Sequence, residues 1–164
     1  MRAAIFAAML AFCSPALGQS TSVPTFTFIG ENITPDVIGP VRVRLNDSSS
    51  DACWTNLRDV REYTEERLIA GGFELAEANG PEVFQIIVAV SAFRERATFG
   101  QGRCLALISV DLGRGLRTPE GATGNHIVAS TSVAVRTNDN LNEGILWFVG
   151  EFFNGLRDSQ QASE

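Results

Sequence analysis

The chain contains no lysine; all 13 of its basic residues are arginine. A chain of 164 residues ordinarily carries several lysines, and replacing every one by arginine has no single folding explanation. Codon bias from a GC-rich genome accounts for it and points to a bacterial source. Histidine is nearly missing too, with His126 standing alone. One histidine excludes His-x-x-x-His metalloprotease helices and multi-histidine metal sites. There is no Gly-x-Ser-x-Gly elbow, so a serine triad would have to be assembled around His126 without its usual turn. There is no Walker loop either. Gly121-Ala122-Thr123-Gly124-Asn125 precedes a strand pattern and so lacks the helix end that cradles phosphate. No C-x-x-C pair suggests redox catalysis. These absences lead to an expectation of no metal and no cofactor, and they lean against an enzyme.

Long apolar runs are scarce as well. The one substantial run is N-terminal: Met1-Arg2, apolar residues from Ala3 to Phe12, then Ser14-Pro15-Ala16-Leu17-Gly18-Gln19. A positive start, about ten apolar residues and a small-x-small end are the three parts of a secretory signal. The run is too short to span a bilayer, which takes about twenty apolar residues. Residues 1–18 are therefore expected to be a signal peptide cut after Gly18. Lipid anchoring at Cys13 is not expected, because the bulky Phe12 stands where a lipoprotein box needs a small residue. Beyond residue 18 the longest apolar runs are Ile86–Val90 and Ile145–Val149, so no transmembrane segment is expected in the mature chain. Its expected place is the periplasm or the medium.

Positive charge is in short supply. Once Arg2 leaves with the signal, twelve arginines face 19 acidic residues, a net charge of −7. Phosphate backbones and anionic lipid both require clustered positive charge, so nucleic acid is not an expected partner. Cysteine is sparse but informative. Of three cysteines, only Cys53 and Cys104 survive cleavage, and two cysteines in an oxidising compartment usually pair. The loop they would close is about 51 residues, for which the chain-entropy estimate is roughly 4 kcal/mol.

What remains, residues 19–164, is long enough for a single domain that buries about 70% of its unfolded surface. No repeat or linker divides it; 19–24 and 158–164 are expected to be loose. Thr25–Ile29 and Val41–Leu45 alternate as strands, and Pro40 suits a strand start or a sheet edge. Asn46–Asp51 reads as a turn and helix cap, opening a helix from Ala52 to Ala70 that Gly71-Gly72 ends. Its inner face is Cys53, Leu57, Val60, Thr64 and Leu68. Its outer face pairs Arg58 with Glu62 and Arg61 with Glu65 at i,i+4. Phe73-Glu74-Leu75 reads as a short strand.

Three longer strands follow. Val83–Phe93 is apolar at both parities, as a strand covered on both faces would be. Cys104–Leu112 places Cys104, Ala106, Ile108, Val110 and Leu112 on one face. His126–Arg136 places Ile127, Ala129, Val133 and Val135 on one face, with serines opposite. Gly100-Gln101-Gly102 reads as a hairpin connection and Gly113–Asn125 as a longer loop. The last helix starts at Asn140 with Glu143 in capping-box position and carries a broad stripe of Leu141, Ile145, Phe148, Phe152 and Leu156. The expected fold class is α+β: two layers, a mainly antiparallel sheet of about five strands with two helices on one face. This element order is similar to that of small envelope domains, such as the partner-binding domains of accessory outer-membrane lipoproteins, with no shared motif.

Two features stand out as candidate binding residues. Arg94, Arg96 and Arg103 gather at one end of the first hairpin, a positive spot in an acidic chain that could receive an acidic partner segment. Trp147 lies at the rim of the last helix's apolar stripe, where exposed aromatics mark protein interfaces. No catalytic residue is assigned. The expected function is an exported accessory or binding module contacting another envelope protein. Two alternatives stand: an apolar small-molecule or lipid binder with a pocket between the last helix and the sheet, and a small hydrolase using His126 with a nearby acid.

Overall fold

The computed structural model describes residues 33–77, 80, 83–96, 102–117, 119–121 and 123–161, together with the backbone of 25–28. The segment 1–18 expected to be a signal and the whole of 97–101, including Gly100 and Gln101, lie outside the described residues. The elements are β1 (Thr25–Phe28), α1 (Pro35–Ile38), β2 (Val41–Ser49), α2 (Leu57–Ala70), β3 (Phe84–Arg94), β4 (Cys104–Arg117), β5 (Thr123–Thr137) and α3 (Asn142–Gln161). Five strands form one sheet in the order β1-β5-β4-β3-β2. All neighbours are antiparallel except β2 and β3, which run parallel because α2 carries the chain back between them. Both long helices cover one face, and the α+β two-layer architecture stands as expected.

The helix-facing rows follow the period-two pattern. Val41 and Val43, then Phe84, Ile86, Val88, Val90 and Ala92, then Cys104 through Leu112 at alternate positions are all buried. Against them α2 lays Val60, Thr64 and Leu68, and α3 lays Ile145, Phe148, Val149, Phe152, Phe153 and Leu156. Phe148 and Phe152 are fully enclosed, so the space between α3 and the sheet is filled by side chains. Residues 158–161 of the tail expected to be loose are helical. They are held in part by the Gln160 amide, which donates to the Ile33 carbonyl.

Local expectations fail where pairing outweighs propensity. Asn46–Ser49 extend β2 instead of turning, because each residue has a ladder partner between Ala89 and Ala92 of β3. The helix then begins at Leu57, not Ala52. Residues 50–56 form a loop in which Asp51 and Ala52 take the left-handed conformation, φ 55° and 54°. Gly113–Asn125, read as a loop, is largely ladder. The β4–β5 hairpin continues through Arg117 and Thr123, with a bulge at Leu112/Gly113. There a β-carbon on residue 113 would stand 2.5 Å from the His126 carbonyl oxygen, so glycine is required. The bulge buries Val128 and Ala129 in succession and turns Ile127 outward, reversing its expected inward placement. Phe73-Glu74-Leu75 is reduced to one parallel bridge between Leu75 and Val41.

β3 is the main correction. Its second row, Ile87, Ala89, Ser91 and Phe93, faces away from both helices and is not covered among the described residues. Ile87 and Ala89 are half-buried and Ser91 and Phe93 exposed, so no described residue forms the second layer that the double-sided apolarity suggests.

Candidate functional site

The two cysteines organise one end of the molecule. Cys53 and Cys104 are bonded across a sequence separation of 51, with Cα atoms 5.7 Å apart. Cys53 belongs to the 50–56 loop rather than to the first turn of a helix, and the loop is tied in several directions. Ser50 donates its N–H to the Ala92 carbonyl at 2.9 Å, and Leu141 donates its N–H to the Cys53 carbonyl at 2.8 Å. The Thr55 N–H reaches Asn142 Oδ1 at 3.0 Å. The end of β2, the base of the β3–β4 hairpin and the start of α3 are thus fastened at one point. Trp54, buried beside Cys53, donates Nε1–H to Asn56 Oδ1 at 3.1 Å, which removes it from any surface role.

The three arginines of the hairpin end are near one another in the fold but differ in availability. Arg94 Nη1 donates to the Gly102 carbonyl at 2.8 Å and Nε to the Asp51 carbonyl at 3.3 Å, so it braces the disulfide loop. Arg103 is half-buried, and its carbonyl accepts the Glu95 N–H at 2.7 Å, which prolongs the ladder past Cys104. Arg96 is exposed. Glu95 turns away from this group and forms an ion pair with Arg136 at 2.7 Å.

Trp147 is 49% exposed. It lines an open groove of about 770 Å³ with Arg136, Asp139, Asn140 and Glu143 between the end of β5 and the start of α3. On the other side of the same strand end lies a second groove, about 500 Å³, formed on the open sheet face by Phe93, Leu105, Leu107, Ala134 and Arg136. Phe93 is 55% and Leu107 56% exposed, and Phe93 is directly opposite Leu105 in the ladder. Arg136 borders both grooves. β1 pairs with Ala129–Ser132, and no described residue forms a strand on the outer side of Val133–Thr137. Trp147 and the Phe93–Leu107 cluster therefore bracket one exposed strand end.

Of the residues at these two grooves, Trp147 is singled out by the sequence, and Phe93, Leu105, Leu107 and Arg136 are not. The signal was present: Leu105 and Leu107 sit at the parity opposite the buried Cys104–Leu112 row, where polar residues would be expected on a wetted face.

His126 is exposed on the β4–β5 ribbon opposite Arg114, and it lines neither groove. The surface pairs Arg58–Glu62 and Arg61–Glu65 form at 3.8 and 4.0 Å. No helix among the described residues is long and apolar enough to cross a membrane.

No protein family matches the chain, and no curated protein matches it in sequence. Among solved structures it is similar to a variant PelC dodecamer from Paraburkholderia phytofirmans, at 16% identity and a TM-score of 0.44, over 87% of this chain and 98% of that one. A second PelC dodecamer from the same organism gives 16% and 0.43, over 85% and 96%. The rare lipoprotein B from Shewanella oneidensis gives 14% and 0.31, over 74% of this chain and 92% of that one. The likeness is one of chain trace and says nothing of what this chain binds.

Proposed function

We propose that the chain is exported through its 1–18 leader and that the mature residues 19–164 work in the bacterial envelope as a non-catalytic accessory protein. It acts by binding another envelope protein at the end built from Trp147, Arg136, Phe93 and Leu107. One observation carries the reading: two half-exposed aromatics and an exposed leucine flank the end of β5, with an arginine shared between their grooves. Tryptophan and arginine are the residues that dominate binding energy at protein interfaces, and large exposed apolar side chains gathered together mark such surfaces.

The alternatives have less support. A lipid binder needs an enclosed apolar cavity, and the helix–sheet space is occupied by Phe148 and Phe152. A hydrolase needs an acid oriented against His126, and no hydrogen bond to that side chain is present among the described residues. The test is affinity capture of the mature protein from envelope extracts, with bound proteins identified by mass, beside the Trp147→Ala/Leu107→Asp variant. Retention of one specific protein by wild type and its loss from the folded variant is the expected result. An identical catch with both proteins overturns the assignment of the surface. N-terminal sequencing is expected to read from Gln19, and an intact Met1 or a lipidated Cys13 would refute the export route.

A further inference from the structure

β2 is the outer strand of the sheet, paired with β3 on one side; on the other, among the described residues, its one backbone bridge is at its first residue. There Val41 donates its N–H to the Glu74 carbonyl at 2.8 Å and accepts the Ala76 N–H at 3.0 Å. The chain itself thus adds a bridge to this edge at Leu75. Strand amides alternate sides with period two, so Val43, Leu45 and Asp47 turn their backbone groups the same way as Val41. Two contacts agree: Arg61 Nη1 reaches the Val43 carbonyl at 3.1 Å, and Ser49, next in the series, gives its N–H to the Asp47 carboxylate at 2.8 Å. Among the described residues, the N–H of Val43 and both backbone groups of Leu45 and Asp47 have no backbone partner on that side.

A groove of about 510 Å³ runs along this stretch, lined by Arg42, Arg44, Arg61, Leu45, Leu75 and Ala76. Its charge is opposite to that of the chain. Three guanidinium groups border it against two carboxylates, Glu65 at 4.0 Å from Arg61 and, at the far end of the stretch, Asp47, which is taken up by the Ser49 N–H and hydroxyl; the whole chain is net −6. Arg44 is on the open face of the strand and Arg61 on the helix side, so cations stand on both flanks of the unpaired edge. An unpaired edge with charged flanks is how folded proteins discourage strand addition by apolar or like-charged chains. The same arrangement favours one kind of strand, because opposite charge on both flanks selects the partner while backbone bonds hold it.

We infer that the outer edge of β2, over residues 43–47, accepts an extended acidic segment of a partner protein as an added strand. The site lies on the outer side of β2, whereas Trp147 and Arg136 stand at the end of β5 and Phe93 on the neighbouring strand β3, and the inference does not rest on that assignment.

The probe is a capped eight-residue peptide of alternating Glu and Thr, labelled for fluorescence anisotropy, against the mature protein at low salt. Three comparisons accompany it: the Lys–Thr analogue, a Glu–Thr peptide with two central prolines, and the Arg44→Glu protein, which should fold because Arg44 is exposed and bonds only locally to Asn46. Saturable binding of the Glu–Thr peptide is expected, with slowed amide exchange at Val43, Leu45 and Asp47. Loss with the prolines is expected, as is a weakening of roughly threefold to tenfold with Arg44→Glu. Equal binding of the Lys–Thr peptide, binding that the prolines leave intact, or protection appearing at Arg96 and Arg103 instead of β2 would each overturn the inference. So would no binding at millimolar peptide.

Discussion

The hydroxyl of Tyr63 on α2 stands 2.9 Å from the point where a β-carbon on Gly150 of α3 would lie. The two long helices meet here with no side chain on one of them. Arg67, one turn along α2, sits over the Tyr63 ring at 5.5 Å and limits how far that ring can move. Gly150→Ala brings two opposed effects: a gain of about 1 kcal/mol in helix propensity and a steric loss against Tyr63. Near-neutral stability is expected in denaturant unfolding. In a Tyr63→Phe background, which removes the obstructing oxygen, the same change should become stabilising by up to about 1 kcal/mol. Gly150→Leu should destabilise by roughly 1–3 kcal/mol in either background.

Breaking the Cys53–Cys104 bridge releases the point where β2, the β3–β4 hairpin and α3 converge. Cys53→Ala/Cys104→Ala is expected to lower stability by about 2–5 kcal/mol. Hydrogen exchange should speed up first at Leu141, whose N–H bonds the Cys53 carbonyl. Native protein with two alkylatable thiols by intact mass would contradict the bridge itself.

The arginines of the hairpin end should separate on single substitution. Arg94 is bonded to two backbone carbonyls, so Arg94→Gln is expected to lower the unfolding free energy by about 1–2 kcal/mol. Arg96 is exposed, so Arg96→Gln should lie within about 0.5 kcal/mol of wild type. If acidic partners bind at this end, Arg96→Gln and Arg103→Gln should weaken them while the fold persists. Equal stability loss from Arg94→Gln and Arg96→Gln would mean that the carbonyl contacts of Arg94 contribute nothing.

His126→Gln tests catalysis. A general-base histidine is worth about 10²–10⁴ in rate, whereas an exposed ribbon residue changes stability by no more than about 0.5 kcal/mol. Unchanged melting and unchanged partner capture are expected. Loss of the biological phenotype in a folded His126→Gln protein would favour the hydrolase.

The buried faces of this protein were legible in the sequence because they obey simple periods. Cys104–Leu112 at alternate positions, Val60-Thr64-Leu68 and the Ile145–Leu156 stripe each repeat at the spacing of their element, and the repeat survives whatever the neighbours are. The pairing of Cys53 with Cys104 followed once residues 1–18 were read as a leader, which leaves two candidates. What the sequence could not determine were the features set by contacts between distant segments. Asn46–Ser49 have turn propensity, yet they form strand because β3 runs alongside them, and that neighbour is fixed by a crossover through α2. Ile127 turns outward because a bulge one residue away shifts the parity of the rest of the ribbon. Whether the second row of β3 meets another layer or water is decided only when the layers are counted, since a double-sided apolar strand reads the same in both cases. For the same reason Phe93 and Leu107, ordinary core residues by type, became surface ones. That Val43–Asp47 form an outer edge of the sheet emerged only once strand order placed β2 last.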